Sequence, residues 1–416
     1  MDWHVRMDAR LAPGEPRLLI SRSALRHNVR VLRNRLPVAT RVCAVVKADS
    51  YGLGAAAVVD ALCNFTESET DTADSIQPLV DDLAVATIDE ATLLGDTHGL
   101  PVLVLRPVEN AFVGRERGRL EYAVRQGWAL TLCSRTAADD LARIAVAAGR
   151  RANVHILIDT GMTRGGVAPE NLDDLIAKIE SHPSLRLAGL YSHFAHGEVS
   201  DCEHSAFQTK LFRDLTEPHA ERLGNRIIRH MSNSGGAFFT QASFDMVRPG
   251  ISLYGVDPTC HPSVDRPLKP VMKWLAPLVD VREVPAGTRV GYNATWVAPR
   301  HSRVGLVPVG YADGYSRDLS SKGVTLVHGR PAPVVGRVSM DMLTVDLTDC
   351  PAAAVGDDVT LLDNDPLSPA GIYNLAKLAD TIPYELMCRI GSRIRRIAMD
   401  PADEGADRAP RSVRVL

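Results

Sequence analysis

The sequence predicts a TIM-type (β/α)8 barrel followed by a C-terminal all-β domain. Over the first 260 residues, eight short apolar runs alternate with helical patterns. From about residue 255, short β runs are separated by Gly and Pro, with few helical patterns between them. Eight βα units in roughly 230 residues are what a closed parallel barrel requires. A run of Gly/Pro-punctuated strands is typical of a separate all-β domain.

The predicted barrel elements follow in chain order. Ser21 or Ser23 can cap a first helix, in which leucine and valine recur at 25, 29, 32 and 36. The run 42–46 has no polar alternation, which is typical of a strand buried on both faces. Seven similar runs follow: LAVAT (83–87), VLVL (102–105), ALTL (129–132), VHILI (154–158), LAGLYS (187–192), IIRHM (227–231) and DMVR (245–248). Helical patterns between them include 55–63, 137–148 and 172–179.

These patterns divide the chain into four parts. We predict an N-terminal extension at 1–15, a barrel at 16–256, a β domain at 257–398 and a tail at 399–416. The tail is charged and rich in small residues, so we expect it to be disordered. The polar, acidic stretch 64–77 is expected to be a surface insertion.

Composition excludes several function classes. The 416 residues are 45% hydrophobic and 23% charged, with a net charge of −3, which argues against a nucleic-acid partner. No apolar run is long enough to span a membrane, and the N-terminus lacks the apolar core of a signal peptide. The seven cysteines have no metal-ligand or redox spacing, so we expect no metal site and a cytoplasmic location.

Unusual polar residues follow the predicted barrel strands. They are Lys47, the DTGMTRGG stretch (159–166), His193, the NSGG stretch (233–236) and Arg248. Each alone has an ordinary interpretation, such as the first solvated residue of a loop or a structural histidine. Together they would meet at the carboxyl end of a barrel, where active sites of this fold lie.

The same residues have one coherent chemical interpretation. A lysine that loses its proton easily in a dry pocket can form a Schiff base with an aldehyde. Pyridoxal phosphate uses this chemistry, and it needs a phosphate cradle and a partner for its ring nitrogen. Ser234, Gly250 and nearby backbone N–H groups are candidates for the cradle, and Arg248 for the ring partner.

A series of ordered motifs resembles the alanine racemase family from about residue 17 to 397. The motifs are AVVKADSYGLG, DTGMTRGG, LYSHFAHGE, HMSNS, MVRPGISLYG, GYNATW, PVGYADGY, GRVSMDM and IPYELMCRI. The resemblance implies a barrel with a C-terminal β domain, pyridoxal phosphate as cofactor, and a homodimer with shared active sites. It also implies interconversion of L-alanine and D-alanine, either for peptidoglycan or for alanine catabolism.

The resemblance also implies roles for individual residues. Lys47 would hold the cofactor and act as one catalytic base, and Tyr292 of the other subunit would be the second. The implied cofactor-binding residues are Tyr51, Arg164, His193, Asn233, Ser234, Arg248, Gly250, Ile251 and Tyr384. Arg164, Met340 and Asp341 would contact the substrate. Two bases on opposite faces are the direct way to remove a proton from one side of a carbon and return one to the other.

The sequence departs from the family pattern at several positions. Leu157 stands where many members have a lysine that supports the arginine of the DTGM motif, so Arg164 must be held in another way. The other departures are Leu53, Thr163, Gly165 and Ser339. None of them removes a catalytic group.

Three other functions remain open from the sequence. A barrel-fold amino-acid decarboxylase would not need Tyr292 as an opposite-face base, and its catalytic cysteine motif is not found. A non-catalytic pyridoxal-phosphate carrier would lack the β domain. A racemase for serine or for several amino acids remains possible, because one hydroxyl or methylene in a pocket is worth only about 1–3 kcal/mol.

Overall fold

A computed structural model of the chain describes residues 14–64, 78–108, 115–199, 201–239, 242–399 and 414–415. These residues form two compact units. The barrel unit comprises 28–50 and 58–253, and the second unit comprises the chain before residue 28, residues 51–57 and the chain from 254 onward. The predicted insertion at 64–77 lies, apart from Asn64, outside the described residues.

The barrel unit contains a closed sheet of eight parallel strands. The strands are β2 (Arg41–Val45), β3 (Asp82–Val85), β4 (Val102–Pro107), β5 (Ala129–Leu132), β6 (Ala152–Leu157), β7 (Leu185–Tyr191), β8 (Ile228–His230) and β9 (Met246–Val247). β9 pairs with β2, which closes the ring. Each strand overlaps one of the eight predicted runs, so the predicted barrel is confirmed.

Helices lie between the barrel strands. After α1 (Arg22–Arg33) they are α2 (Lys47–Gly52), α3 (Ala55–Cys63), α4 (Ile88–Thr92), α5 (Arg115–Gln126), α6 (Arg135–Ala148), α7 (Leu172–Glu180), α8 (Glu203–Leu223) and α9 (Ser234–Phe239). The Ser21 hydroxyl accepts a hydrogen bond from the Ala24 N–H at 2.9 Å, so Ser21 is the N-cap of α1. Leu25, Val29 and Leu32 of that helix are buried, as their spacing predicts.

The second unit contains a seven-stranded sheet, a three-stranded sheet and a two-stranded sheet, so the predicted β domain is confirmed. Its strands are β1 (Arg17–Ser21), β10 (Met272–Pro277), β11 (Asp280–Val284), β12 (Arg289–Val290), β13 (Trp296–Val297), β14 (Ser302–Val307), β15 (Val324–Val327), β16 (Arg330–Pro333), β17 (Leu343–Asp346), β18 (Asp358–Leu362), β19 (Arg395–Met399) and β20 (Arg414–Val415). Two short helices, α10 (Ile372–Leu378) and α11 (Pro383–Cys388), complete it.

The two ends of the chain meet in the seven-stranded sheet. β1 pairs with β10 on one side and in parallel with β19 on the other. β1 has no counterpart among the predicted strands. In the tail 399–416, which we expected to be disordered, Met399 ends β19 and β20 pairs with Ile397 and Ala398. The remainder of the tail lies outside the described residues.

A close approach inside the barrel involves Gly189 of β7 and His155 of β6, which are paired in register. A Cβ at position 189 would lie 2.4 Å from the His155 Nδ1. Gly189→Ala is therefore expected to lower the free energy of unfolding by about 1–3 kcal/mol, because the imidazole is buried and hydrogen-bonded to His230. Equilibrium unfolding in urea measures the change.

Gly118→Ala is the matched control for that substitution. Gly118 lies within α5, and a Cβ there would meet no atom within 4 Å. Alanine in an exposed helix interior is more favourable than glycine by roughly 0.5–1 kcal/mol, so this variant is expected to be as stable as the wild type or slightly more stable. Equal effects of the two substitutions would contradict the packing described for His155.

Candidate active site

Lys47 lies at the carboxyl end of β2. The preceding residues Val42 to Val46 are buried, whereas the lysine is half-buried and the next two residues are exposed. The apolar run is thus a barrel strand, and the lysine is its first side chain beyond the core. This is the position at which the fold places catalytic groups.

The segment labelled α2 is not a right-handed helix, because its backbone after Lys47 makes a left-handed turn. Ala48, Asp49, Ser50 and Tyr51 have φ angles between 51° and 57°. For residues with a side chain, the left-handed conformation costs about 1–2 kcal/mol each, so four in succession are held by the surrounding structure. Strain of this kind is concentrated at functional sites, and here it directly follows the candidate catalytic lysine.

Glu90 of α4 holds the start of this turn. Its carboxylate accepts hydrogen bonds from the Ala48 N–H at 3.2 Å and from the Ala86 N–H at 2.7 Å. The glutamate therefore connects the residue after Lys47 with the end of β3. Carboxylate–amide hydrogen bonds are among the stronger ones in proteins, so Glu90 helps to fix the backbone beside the lysine.

Arg248 is buried at the end of β9 and donates only to neutral groups. Its guanidinium donates to His230 Nδ1 at 2.6 Å, to His193 Nδ1 at 3.2 Å, and to the carbonyl oxygens of Ser192 (2.8 Å) and Met231 (3.2 Å). Within the described ranges no carboxylate pairs with it. A buried cation surrounded by neutral acceptors is a strong hydrogen-bond donor for a ligand at this end of the barrel.

One further histidine, His155, extends this network beyond His230. His230 Nε2 lies 2.8 Å from His155 Nδ1. Because arginine is a donor only, His230 Nδ1 must accept, its Nε2 carries the proton, and His155 Nδ1 accepts in turn. The order Arg248, His230, His155 therefore fixes the tautomers of both rings.

Burial keeps these histidines neutral. It lowers the pKa of His155 to about 3, and the positive charge of Arg248 adds to the effect. Burial, and after it the positive charge of Arg248, also hold the pKa values of His193 and His230 well below the usual range. Burial also lowers the pKa of Arg248, although guanidinium groups remain protonated in proteins.

The Tyr191 ring packs against both His230 and Arg248. Its ring stacks on His230 with centroids 4.8 Å apart and an interplanar angle of 4°, and the Arg248 guanidinium carbon lies 5.0 Å from the ring centroid. Burial raises the pKa of the Tyr191 phenol to about 12. The phenol is therefore neutral, and the guanidinium is held by a ring face as well as by hydrogen bonds.

The neutral histidines predict an acid-labile fold. In the unfolded chain each binds a proton below about pH 6.5, whereas the folded chain does not until near pH 3 for His155. The unfolded state then binds more protons, so the free energy of unfolding falls as the pH decreases from about 6.5 toward 3. Urea unfolding between pH 5 and 7.5 should show this slope.

Replacing one histidine measures how much it contributes to the pH dependence of the free energy of unfolding. His155→Asn is expected to make the slope shallower by about 1.4 kcal/mol per pH unit on the acid side of pH 6.5. His261→Asn, at an exposed position, is the control. Identical slopes in the wild type and in His155→Asn would contradict the neutral, buried state of this ring.

Ser234 receives three hydrogen-bond donors at the start of α9. Its hydroxyl oxygen lies 2.9 Å from the Gly250 N, 3.3 Å from the Ser252 N and 3.0 Å from the Ser252 hydroxyl. The Asn233 side-chain oxygen accepts from the Gly236 N–H at 2.9 Å. Backbone N–H groups that converge in this way are suited to an anion such as phosphate.

The DTGMTRGG loop is shaped by Asp159. One of its carboxylate oxygens accepts hydrogen bonds from the N–H groups of Gly161, Met162 and Thr163, at 2.9 to 3.1 Å. Arg164 follows and is exposed, with no hydrogen-bond or ion-pair partner among the described residues. Leu157, where the supporting lysine of the resembled family would stand, ends β6 and is half-buried. Asp159 thus organises the loop without contacting the Arg164 guanidinium.

In the second unit, Tyr51 and Tyr384 are neighbours. Their ring centroids are 6.3 Å apart, and Tyr51 also packs on Tyr254 at 4.9 Å. Tyr51 is buried and Tyr384 is half-buried. Burial raises the pKa of the Tyr51 phenol, which is therefore a neutral hydrogen-bond donor. Leu53, where the resembled family more often has histidine, is fully buried.

Tyr292, Met340 and Asp341 lie on the surface of the second unit. Tyr292 is 69% exposed and Met340 is 54% exposed, and Asp341 accepts two hydrogen bonds of 3.0 Å from Arg393. The Ser339 hydroxyl bonds with the Met342 carbonyl and N–H, so this serine closes the turn that carries Met340 and Asp341. The side chains of Tyr292, Met340 and Asp341 are all exposed and therefore accessible to another molecule.

Among the described residues, no group of three or more His, Cys, Asp or Glu is arranged to hold a metal ion. No helix among them has both the length and the apolar character required to span a bilayer.

The chain was compared with known proteins. It matches the family model "Alanine racemase, N-terminal domain" over residues 20–258 and the model "Alanine racemase, C-terminal domain" over residues 271–398. The chain belongs to the alanine racemase family. It is 37% identical to the alanine racemase of Chlorobaculum tepidum over 393 residues, which cover 93% of this chain and 97% of that protein.

Solved structures of alanine racemases share the fold. The enzyme from Streptomyces coelicolor A3(2) is 33% identical, with a TM-score of 0.80 and coverage of 94% of this chain and 100% of that one. The biosynthetic alanine racemase of Pseudomonas aeruginosa is also 33% identical, with a TM-score of 0.77 and coverage of 93% and 100%. As a member of the alanine racemase family with these relatives, the chain is a racemase.

The residues that the sequence assigned to an alanine racemase site are distributed over both units. The barrel unit contains Lys47, Arg164, His193, Asn233, Ser234, Arg248, Gly250 and Ile251. The second unit contains Tyr51, Tyr292, Met340, Asp341 and Tyr384. Within the barrel unit, Arg248 contacts His193, and Ser234 contacts Gly250. The catalytic and binding roles of all these residues remain predictions.

The sequence alone did not reveal several residues that support the candidate site. They are Glu90, His155, His230 and Arg393. Two of them could have been found from the sequence, because His155 interrupts the apolar run VHILI and His230 interrupts the run IIRHM. A polar side chain inside a strand that is buried on both faces needs a buried partner.

Proposed function

We propose that the protein interconverts L-alanine and D-alanine with pyridoxal 5′-phosphate as its cofactor. The observation that carries the proposal is the set of groups at the barrel rim, where Lys47 follows β2 and the buried Arg248 donates only to neutral acceptors. The alanine racemase of Bartonella henselae was solved with covalently bound pyridoxal phosphate. It is 30% identical to this chain, with a TM-score of 0.76, and the match covers 93% of this chain and 100% of that one.

The donor set of this chain fits the cofactor. The Ser234 hydroxyl lies beside the backbone N–H groups of Gly250 and Ser252, which are the types of donor that bind phosphate, and the Arg248 guanidinium supplies a donor for a ring nitrogen. We assign the phosphate to Tyr51, Ser234, Tyr384 and the backbone of Gly250 and Ile251, and we include Asn233 among the cofactor-binding residues. We assign the phenolic oxygen to Arg164 and the ring nitrogen to Arg248, with His193 behind it. When bound, the cofactor acidifies the Cα–H of an attached amino acid.

Arg248 limits what the cofactor can do. A guanidinium donates a hydrogen bond but neither accepts nor readily gives up a proton, so a ring nitrogen beside it would stay unprotonated. The network of neutral His230 and His155 behind Arg248 preserves this arrangement. An unprotonated ring nitrogen would make the cofactor a weaker electron sink, which would favour racemisation over side reactions such as transamination.

Two bases would then move the proton. We assign one face of the Cα to Lys47 and the other to Tyr292 of a second copy of the chain. Tyr292 is 69% exposed in the single chain, which leaves it available to a partner. A homodimer with shared sites would also bring Met340 and Asp341 of the partner to the substrate carboxylate, together with Arg164.

Location and physiological role belong to the same proposal. None of the seven cysteines forms a disulfide, which suits a reducing compartment, and we infer that the enzyme works in the cytoplasm. D-alanine made there would serve peptidoglycan, and in the reverse direction the enzyme would serve alanine catabolism. Serine is a second candidate substrate, since one hydroxyl changes binding by only about 1–3 kcal/mol.

A racemisation assay tests the function. The wild-type protein, stripped of cofactor and reloaded, is incubated with a panel of L-amino acids, and the products are separated by chiral chromatography. D-Alanine should form from L-alanine only when pyridoxal phosphate is present, and serine should react more slowly. A loaded protein that leaves L-alanine unchanged would overturn the proposal.

A further inference from the structure

Arg396 on β19 binds four backbone carbonyl groups of the second unit. Its Nε and Nη2 donate to the Gly52 carbonyl oxygen at 3.0 and 2.8 Å, respectively. Nη2 also donates to the Ile390 carbonyl oxygen at 2.8 Å. Its Nη1 donates to Gly391 at 2.6 Å and to Ile394 at 2.5 Å. Arg396 thus connects its own part of the chain with Gly52, which is 344 residues away in sequence.

The connected segments carry two tyrosines. Gly52 directly follows Tyr51, and Ile390 lies two residues beyond α11, the helix that carries Tyr384. The two rings are 6.3 Å apart. The guanidinium therefore lies where the backbone after Tyr51 meets the backbone after α11.

Gly52 is also packed against α11. A Cβ at position 52 would lie 2.5 Å from the Met387 carbonyl oxygen, and the φ angle of Gly52 is 85°. Only glycine allows this approach and this backbone conformation. Tyr51 ends the left-handed turn that begins at Ala48, so the Arg396 hydrogen bonds act on a strained segment at its exit.

We propose that Arg396 is a positioning residue that holds Tyr51 and Tyr384 at the spacing required to bind the phosphate group of the cofactor. The inference depends on the proposed function, in which both tyrosines contact that phosphate. Arg396 acts through the two tyrosines and contacts neither cofactor nor substrate. A guanidinium fork reaches four carbonyl oxygens at once, whereas a lysine offers a single centre.

Cofactor affinity measured with and without the phosphate group tests this role. The dissociation constants of pyridoxal phosphate and of pyridoxal are measured on the cofactor-free protein by absorbance titration. Arg396→Gln should weaken binding of pyridoxal phosphate about tenfold or more and leave binding of pyridoxal within about twofold, and Arg396→Lys should lie between Gln and wild type. Arg395→Gln is the matched control, because the Arg395 Nε makes no hydrogen bond within the described chain.

A purely structural role gives a different result. It would lower the thermal unfolding midpoint while the ratio of the two dissociation constants stayed at the wild-type value, and that outcome would overturn the inference. In a Tyr384→Phe background, Arg396→Gln should add less than its single-mutant effect on pyridoxal phosphate, whereas full additivity would contradict coupling through the tyrosine. Wild-type protein that fails to bind pyridoxal phosphate would instead reject the proposed function.

Discussion

Replacing Lys47 with alanine is expected to reduce alanine racemisation by about 10³-fold or more. The substitution removes the group that we assign to holding the cofactor and, at the same time, one of the two bases. The initial rate of D-alanine formation with saturating pyridoxal phosphate measures the effect. Lys47 is half-buried at the end of β2, outside the packed core, so the fold should tolerate the change.

Lys210→Ala provides the control for loss of a lysine. Lys210 lies on α8 and is exposed, paired with Asp214 one turn away. This variant should keep wild-type activity, since an exposed ion pair contributes little to stability. If Lys47→Ala retained more than about a tenth of the wild-type rate, against the loss expected for a catalytic base, Lys47 would not have the role assigned to it.

Replacing Tyr292 with phenylalanine is expected to lower the racemisation rate by about 10²–10⁴-fold, the usual contribution of a general acid or base. The rate constants kcat/KM must fall equally in both directions, because the two enantiomers have equal free energy. The asymmetry is instead expected in hydrogen exchange. With only Lys47 left as a base, one enantiomer should still exchange its α-hydrogen in D2O, while the other should not.

Proton NMR of L-alanine and D-alanine in D2O measures that exchange for each enantiomer separately. Tyr122→Phe is a suitable control, because Tyr122 is also a partly exposed tyrosine but packs against Trp128 on the barrel unit. Equal residual exchange of both enantiomers in Tyr292→Phe would contradict a role for Tyr292 as the base on one face.

The barrel was predictable because its strands are buried on both faces. The sequence of such a strand is a continuous apolar run, and each of the eight predicted runs overlaps an observed strand. Lys47 was recognisable for the same reason, as a charged residue at the end of one of them. β1 was not predicted, since its place between β10 and β19 depends on chain segments some 250 and 380 residues away.

The residues that support the site make contacts with residues distant in sequence, and no local sequence pattern predicts such contacts. Glu90 reaches a backbone N–H 42 residues away, and His155 meets His230 across 75 residues. Whether a polar residue inside an apolar run is buried with a partner follows only from the register of the strands. Gly189 opposite His155 is one such case, because the missing side chain makes room for the imidazole.

The central claim is that Lys47 carries the cofactor, and borohydride reduction followed by peptide mapping tests it most directly. Protein loaded with pyridoxal phosphate is reduced and digested, and the peptides are analysed by mass spectrometry. The account predicts that the pyridoxyl group is attached to the peptide containing Lys47. Attachment to a different lysine, or no attachment in a protein that racemises alanine, would contradict it.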